Sequence, residues 1–392
     1  MRLACPVMWA RPDRKADREQ SVQTAAALAR AGHDVTLLLP RRPDDPPITA
    51  ADLGRFFAVE PSFAVLQRPS RGVGENIGPS SLWLRQLFAD PMIRGADVLY
   101  SRIPAMLFAG GLSPVPFATD HYRPWPDQWP LLRPLIRRTA RSPRALGFIL
   151  HSAFTADSFL QLPVEPEQVI VAHNGADPAP MQPRLSRAEA RARVGLPVER
   201  RIVVYAGRVN AHKGLDRLLA LADLRPDTLF VLVGSEGQGP IETAAAVHPN
   251  VRVAPWQTPA TLPPWLYAAD VLVIPPTAAP LQHGQCVLPI KTFGYLAAGR
   301  PILAPVAPDT AELLRHEDTA LLVPPDDLPA AAAALDRLAG DAALVERLSA
   351  NAQALAATRT WDARAATITA FLERRLAKVA RQTKGVGART WA

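Results

Sequence analysis

The chain has 392 residues, 48% apolar and 20% charged, with 22 glycines and 41 prolines in no collagen-like period, so it divides into two or three globular domains and is neither fibrous nor wholly disordered. Two cysteines, Cys5 and Cys286, make neither a disulfide framework nor a thiolate metal site, and no apolar run approaches the roughly 20 residues that span a bilayer; a cytoplasmic location without a signal peptide is expected. The net charge of +8 (44 basic, 36 acidic) rests on arginine usage, with only five lysines, and on an acid-free tail from Arg374 to Arg389, so a basic balance without zinc-finger spacing or aromatic interleaving does not indicate nucleic acid.

In chain order, Leu3 to Val7 reads as a strand, Asp17, Arg18 and Glu19 fall in a charged loop, and Ser21 to Ala31 reads as a helix ended by Gly32 before a strand at Val35 to Pro40. Strand, helix and strand within forty residues are a parallel βαβ unit. Buried-strand candidates continue at 63–66, 97–100, 116–119, 146–150 and 169–172. Pro178 to Pro197 is a proline-bounded, charged stretch, after which a second strand series runs through 201–206, 229–233, 251–253, 271–274, 302–304 and 320–323. Two consecutive parallel-sheet domains are expected to leave a ligand cleft at the carboxyl ends of their strands.

Chemistry-bearing residues gather at those ends. Gly207 closes a strand and permits a tight turn and close approach to a ligand. Arg208 and Lys213 follow it, offering a diphosphate a forked guanidinium and a mobile ammonium, or else forming a solvated loop face. Gly234-Ser235-Glu236-Gly237-Gln238-Gly239 is a second glycine-rich junction, either nucleotide-facing or an ordinary turn. Trp256 either covers a base or is a partly buried core residue. Pro289 to Gly299, with Lys291, reads as a helix whose amino end suits phosphate. In the first half, His121 follows a strand as a hydrogen-bonding or a structural histidine, and His151 and Ser152 end another.

In order along the chain, Gly32-His33-Asp34-Val35, the Ser152 segment, Asn174-Gly175-Ala176-Asp177, Ala206-Gly207-Arg208 with His212-Lys213-Gly214, Val233-Gly234-Ser235, Ala269-Asp270-Val271, Pro289 to Ile302 and Pro324-Pro325-Asp326-Asp327 resemble the motifs of the retaining glycosyltransferases of family 4 (glycosyl transferases group 1). The resemblance implies an α/β GT-B fold: two Rossmann-like parallel-sheet domains facing across a deep cleft. It implies an acceptor-side domain at 1–178, a donor domain at 196–361, a helix at about 362–380 packing back on the first domain, and a basic tail at 381–392. Arg208 and Lys213 match the positions that clamp the departing diphosphate, Trp256 falls where the family contacts the base, and His121 stands where many relatives carry a histidine facing the sugars. The family's two glutamates are replaced by Cys286 and Gly294, neither of which accepts a charge-assisted bond from a sugar hydroxyl. Gln282, His283, Gly284, Gln285, Cys286 and Val287 are then the candidates to hold the donor sugar.

The expected function is retaining transfer from a nucleotide-diphosphate sugar, a co-substrate rather than a tightly bound cofactor, to a hydroxyl of a glycan or lipid-linked acceptor in cell-surface polysaccharide or glycoconjugate synthesis. No metal is expected to be required, since no Asp-x-Asp or histidine cluster calls for one. Competing readings are a non-catalytic nucleotide-sugar or glycan-binding partner protein, motivated by Cys286 and Gly294, and a sugar-nucleotide epimerase or hydrolase on the same fold. Trp125, Trp129, Leu131 and Leu132, followed by Arg133, Arg137, Arg138, Arg141 and Arg144, together with the basic tail, offer peripheral contact with an anionic membrane or form a solvated arginine-rich face.

Overall fold

The computed structural model describes residues 1–70, 77–278 and 288–387. The chain forms two compact units, one of residues 1–174 and 361–392 and the other of residues 175–360.

Unit 1 is built on a seven-stranded sheet of β1 (Arg2–Pro6), β2 (Asp34–Arg41), β3 (Ala64–Pro69), β4 (Val98–Ser101), β5 (Phe117–His121), β6 (Ala145–Leu150) and β7 (Val169–Val171). Its order is β3-β2-β1-β4-β5-β6-β7, and every pairing is parallel. Strand β6 is buried along its whole length, as expected where helices cover both faces of a parallel sheet and the sequence reads as an unbroken apolar run. The helix Trp361–Gly387 belongs to this unit. Arg30 pairs with Asp362 at 2.6 Å, His33 Nε2 meets Thr369 Oγ1 at 2.7 Å, and Arg375 Nε donates to the Leu146 carbonyl at 2.7 Å.

Unit 2 carries β8 (Arg201–Ala206), β9 (Thr228–Ser235), β10 (Val251–Pro255), β11 (Val271–Val273), β12 (Ile302–Pro305) and β13 (Leu321–Val323), ordered β10-β9-β8-β11-β12-β13 and again all parallel. The two-residue period of a strand sorts its core into two layers. Ile202, Val204, Ala206, Leu229, Val231 and Val233 pack on one face, and Val203, Tyr205, Phe230 and Leu232 pack on the other with Leu215, Leu218 and Leu219 of the helix Leu215–Asp223. All thirteen expected strands are present, and the α/β architecture of two Rossmann-like sheets is as expected.

Local structure departs from the sequence reading at three places. The first helix starts at Ala16, so Asp17, Arg18 and Glu19 lie in its first turn rather than in a loop. Acidic side chains suit that positive end, Ser21 Oγ bonds the Asp17 carbonyl at 2.7 Å, and buried Arg18 pairs with Asp13 at 3.3 Å and with Asp17. The charged stretch 178–197 contains the helix Arg187–Val194, begun by a reciprocal Ser186–Glu189 capping box. Its Ala190 enters the unit 2 core and Arg191 Nη2 reaches Asp270 at 2.7 Å. Residues 381–387 of the basic tail continue the last helix, while 388–392 lie outside the described residues. Arg375 and Lys378 are both engaged by Glu165, at 3.2 and 2.7 Å, so part of the tail's charge is neutralised within unit 1.

Candidate functional site

In unit 2 the strand order reverses between β8 and β11, and the carboxyl end of β8 is where such sheets bind ligands. Gly207 follows β8 with φ +147° and Gly234 closes β9 with φ +126°, a region open to glycine alone. Space demands glycine as well. A Cβ on Gly234 would collide with the Gly207 carbonyl, and one on Gly207 would sit 2.6 Å from Lys291 Nζ. The two turns are laced by Gly207 N–H to the Val233 carbonyl at 2.9 Å and Val209 N–H to the Gly234 carbonyl at 3.3 Å.

Three cations surround this junction. Lys291 opens the helix Lys291–Ala298 and places Nζ 3.6 Å from the centroid of the Tyr205 ring, a cation–π contact. Burial and then the neighbouring Lys213 charge hold the Lys291 ammonium well below the ordinary lysine range. Lys213 ends the 3-10 turn Ala211–Lys213, which the Asn210 side chain caps. Exposed Arg208 is anchored through its carbonyl, which accepts from Tyr205 Oη at 3.0 Å. Tyr295 Oη accepts from the Ala206 N–H at 2.7 Å and pins the same strand end from below. Positive charge thus converges on a glycine-lined backbone turn, a setting that favours a multiply charged anion.

Ser235 spends its hydroxyl on its own loop, donating to Glu242 Oε1 at 2.6 Å and accepting from the Gly237 N–H at 3.1 Å. Trp256 is half-buried, and its backbone N–H donates to the Ser235 carbonyl at 2.9 Å, bringing β10 beside the same loop. Asp327 caps the helix Leu328–Gly340 and Asp326 holds a left-handed turn, both structural roles. His283, Gly284, Gln285, Cys286 and Val287, with Gln282, lie outside the described residues. No cluster of three or more potential metal ligands occurs among the described residues.

Gly294 sits on the helix Lys291–Ala298, where among the described residues an added Cβ would meet only Leu266 Cδ1, at 3.8 Å. Gly294→Ala is expected to stabilise unit 2 by about 0.5–1 kcal/mol, the helix-interior cost of glycine; a lower urea midpoint would refute the free space.

Unit 1 gathers a buried charge network at the ends of β5 and β6. Asp120 accepts from Tyr100 Oη, from Arg364 Nη2 at 2.5 Å and from Gln20 Nε2 at 3.3 Å, and meets His151 Nε2 at 2.7 Å. Burial raises the Asp120 carboxyl, but Arg364, His151 and Arg102 outweigh it and hold it well below the usual carboxylate range. His151 therefore partners Asp120 inside the unit, and Ser152 caps the helix Ala153–Leu160, accepting from Thr155 N–H at 3.2 Å. His121 is 2% exposed and lies parallel to Phe159 at 6.3 Å between ring centroids. Burial pushes its imidazole down to about 3, so the ring is neutral, and its Nε2 is a buried polar atom without a hydrogen-bond partner. Burial likewise pushes the Glu19 carboxyl up to about 7. Tyr205, Tyr295, Asp120 and Arg364 were not singled out from sequence. Tyr205 and Tyr295 lie within an apolar strand and a helix that give no local sign of a role at the site, and nothing in the spacing of Asp120 and Arg364 pairs residues so far apart.

Residues 20–180 match the family described as Glycosyltransferase Family 4, and residues 200–341 match Glycosyl transferases group 1. The chain is similar to D-inositol 3-phosphate glycosyltransferases of Jonesia denitrificans, 30% identical over 248 residues (57% of this chain, 54% of the relative), and of Streptomyces scabiei, 31% over 224 residues (52% and 48%). It spans about half the length of the curated relatives it matches. Among solved structures, sucrose-phosphate synthase from Thermosynechococcus elongatus superposes with a TM-score of 0.75 at 18% identity, covering 96% of this chain and 99% of that one. Anabaena HepE in complex with UDP-glucose gives 0.70 at 16% identity, covering 95% and 100%. At these identities the likeness establishes a shared fold.

Proposed function

Since the chain is a GT-B-fold protein related to the family 4 and group 1 glycosyltransferases, we propose that it transfers a sugar from a nucleotide-diphosphate sugar to a hydroxyl of a glycan or lipid-linked acceptor, with retention, in polysaccharide or glycoconjugate synthesis. The observation that carries this is the meeting of Lys291, Lys213 and the Gly207–Gly234 turns at the end of β8. Burial and the neighbouring Lys213 disfavour the charged form of Lys291, and a bound diphosphate would restore it.

In this proposal the bond between the anomeric carbon and the diphosphate oxygen breaks while the acceptor oxygen attacks from the same face. The acceptor proton passes to the leaving phosphate oxygen. Arg208, Lys213 and Lys291 gain strength as charge gathers on that oxygen, so they act on the transition state more than on the bound donor. His121, neutral and with Nε2 unpaired, is suited to a hydrogen bond with a sugar or acceptor hydroxyl rather than to a charge contact. Ser235 and Trp256 would serve the nucleotide through the loop that follows β9 and the indole face beside it. No residue is assigned as a nucleophile.

A thermal-shift screen of UDP, GDP, ADP, CDP and dTDP tests the binding half. One of them at about 100 times its dissociation constant should stabilise the protein by about 2.7 kcal/mol, and the matching sugar donors then serve for transfer assays. No shift with any of the five would sink the proposal. Gly294 favours a second reading, a binding partner without catalysis. A nucleotide that raises the melting temperature, with no transfer or donor hydrolysis from any of its sugar conjugates, would select it.

A further inference from the structure

The helix Arg133–Ala140 of unit 1 turns one face inward and leaves the other to solvent. Ile136, Thr139 and Ala140 are buried, while Arg133, Arg137, Arg138 and Arg141 line a cavity of about 510 Å³ whose far wall is Gln161, Leu162 and Pro163. Spacings of three and four residues put the guanidinium groups on one side of the helix. Arg133 is fixed by Asp127 at 2.8 Å and by the Pro126 carbonyl at 2.8 Å. Arg137, Arg138 and Arg141 make no ion pair among the described residues. Three arginines without an ion pair among the described residues thus line one open groove.

Exposed apolar side chains lie on and near this helix. Leu131, immediately before the helix, is 93% exposed and Leu135 on it 42%. Leu112, on the 3-10 turn packed against the helix, is 77% exposed, and Leu160, next to the cavity wall, 46%. Of the large hydrophobic side chains that unit 1 exposes among the described residues, only Leu82 lies elsewhere. The nearby aromatic rings are not available for stacking on bases. Trp125 is buried, and half-buried Trp129 already packs on it with 4.4 Å between ring centroids. Exposed leucines beside unpaired arginines suit an interface where headgroup phosphates lie next to acyl chains. A nucleic acid would use the charge and leave the leucines without a role.

We propose that this face docks unit 1 on an anionic lipid bilayer, with Arg137, Arg138 and Arg141 on headgroup phosphates and Leu131 and Leu135 entering the headgroup–acyl boundary. Contact is peripheral, since no helix among the described residues is long and apolar enough to cross a membrane. The tail contributes less than its composition suggests, because Arg375 and Lys378 are held by Glu165. The proposal stands apart from sugar transfer and is read by binding alone.

The test is co-sedimentation of the full chain with phosphatidylcholine vesicles and with vesicles carrying ~30% phosphatidylglycerol, at ~50 mM and ~500 mM salt. Partitioning is expected on the anionic vesicles only, and to fall at high salt. The triple variant Arg137→Glu, Arg138→Glu, Arg141→Glu should lose about 10-fold or more in partitioning. A charge-matched variant elsewhere, Arg193→Glu, Arg374→Glu, Arg381→Glu, should lose less than about 2-fold, and Leu131→Gln should weaken binding without changing net charge. All of these side chains are exposed, and unchanged melting temperatures would confirm that folding is intact. Failure of the intact protein to partition would overturn the proposal. So would equal losses in the two triple variants, binding abolished by millimolar pyrophosphate at constant ionic strength, or capture by short RNA without vesicle binding.

Discussion

Arg364→Met is expected to lower the unfolding free energy of unit 1 by about 3–5 kcal/mol, the usual cost of removing one partner from a buried charge pair. Arg364 is 3% exposed, bonds the Ala172 carbonyl through Nη1 and reaches Asp120 Oδ2 through Nη2 at 2.5 Å. Its loss leaves a buried carboxylate to Tyr100, His151 and a longer contact from Arg102 at 3.4 Å. Asp120→Asn removes the charge that Arg364 compensates. The double variant should therefore be more stable than the sum of the single losses predicts, by at least about 1 kcal/mol. Urea unfolding of the four proteins measures this, and strictly additive losses would show that Arg364 acts through packing alone. The same cluster sets a pH dependence. His121 and His151 are both held near 3 by burial, whereas in the unfolded chain they take up protons near 6.5. The stability tied to their neutral forms is present above about pH 6.5 and drains away as pH falls toward 3. The Glu19 carboxyl, pushed up to about 7, gains stability over the same range, so the test uses Glu19→Gln, in which a urea midpoint that rises on acidification from pH 7.5 to 5.5 would contradict that assignment.

Arg208→Ala and Lys213→Ala should each reduce transfer by about 10²-fold or more while leaving the melting temperature of the free protein nearly unchanged. Arg208 is exposed and Lys213 half-buried on a short turn, so neither supports the core. Truncating either leaves less charge to meet the departing diphosphate, and the loss should fall chiefly on kcat. His121→Ala provides the contrast, because its side chain lies in the interior of unit 1 against Phe159. Transfer should fall while nucleotide-diphosphate affinity, measured by calorimetry, is kept. Near-normal turnover in both cation variants would remove them from the site. An equal loss of nucleotide affinity in His121→Ala would move the histidine to the donor.

The sequence alone determined a good deal of this protein. Buried parallel strands are short unbroken apolar runs, so β6 and β9 declare themselves locally. The strand-end glycines are equally legible: Gly207 and Gly234 stand next to such runs, and the Arg208 and Lys213 that follow bring cations to the place where α/β sheets bind anions. Tertiary structure alone decided which distant groups meet. Lys291 comes to rest 3.6 Å from the Tyr205 ring centroid, although 86 positions separate them, because the helix it begins packs under the end of β8. Asp120 and Arg364 find each other because the last helix returns to unit 1. His151 and Ser152, readable only as polar residues at a strand end, become respectively the partner of a buried carboxylate and a helix cap. Ionisation followed the same division: the residue type sets the ordinary pKa, but burial and neighbouring charge exist only in the folded chain, and these keep His121 neutral and Asp120 ionised side by side.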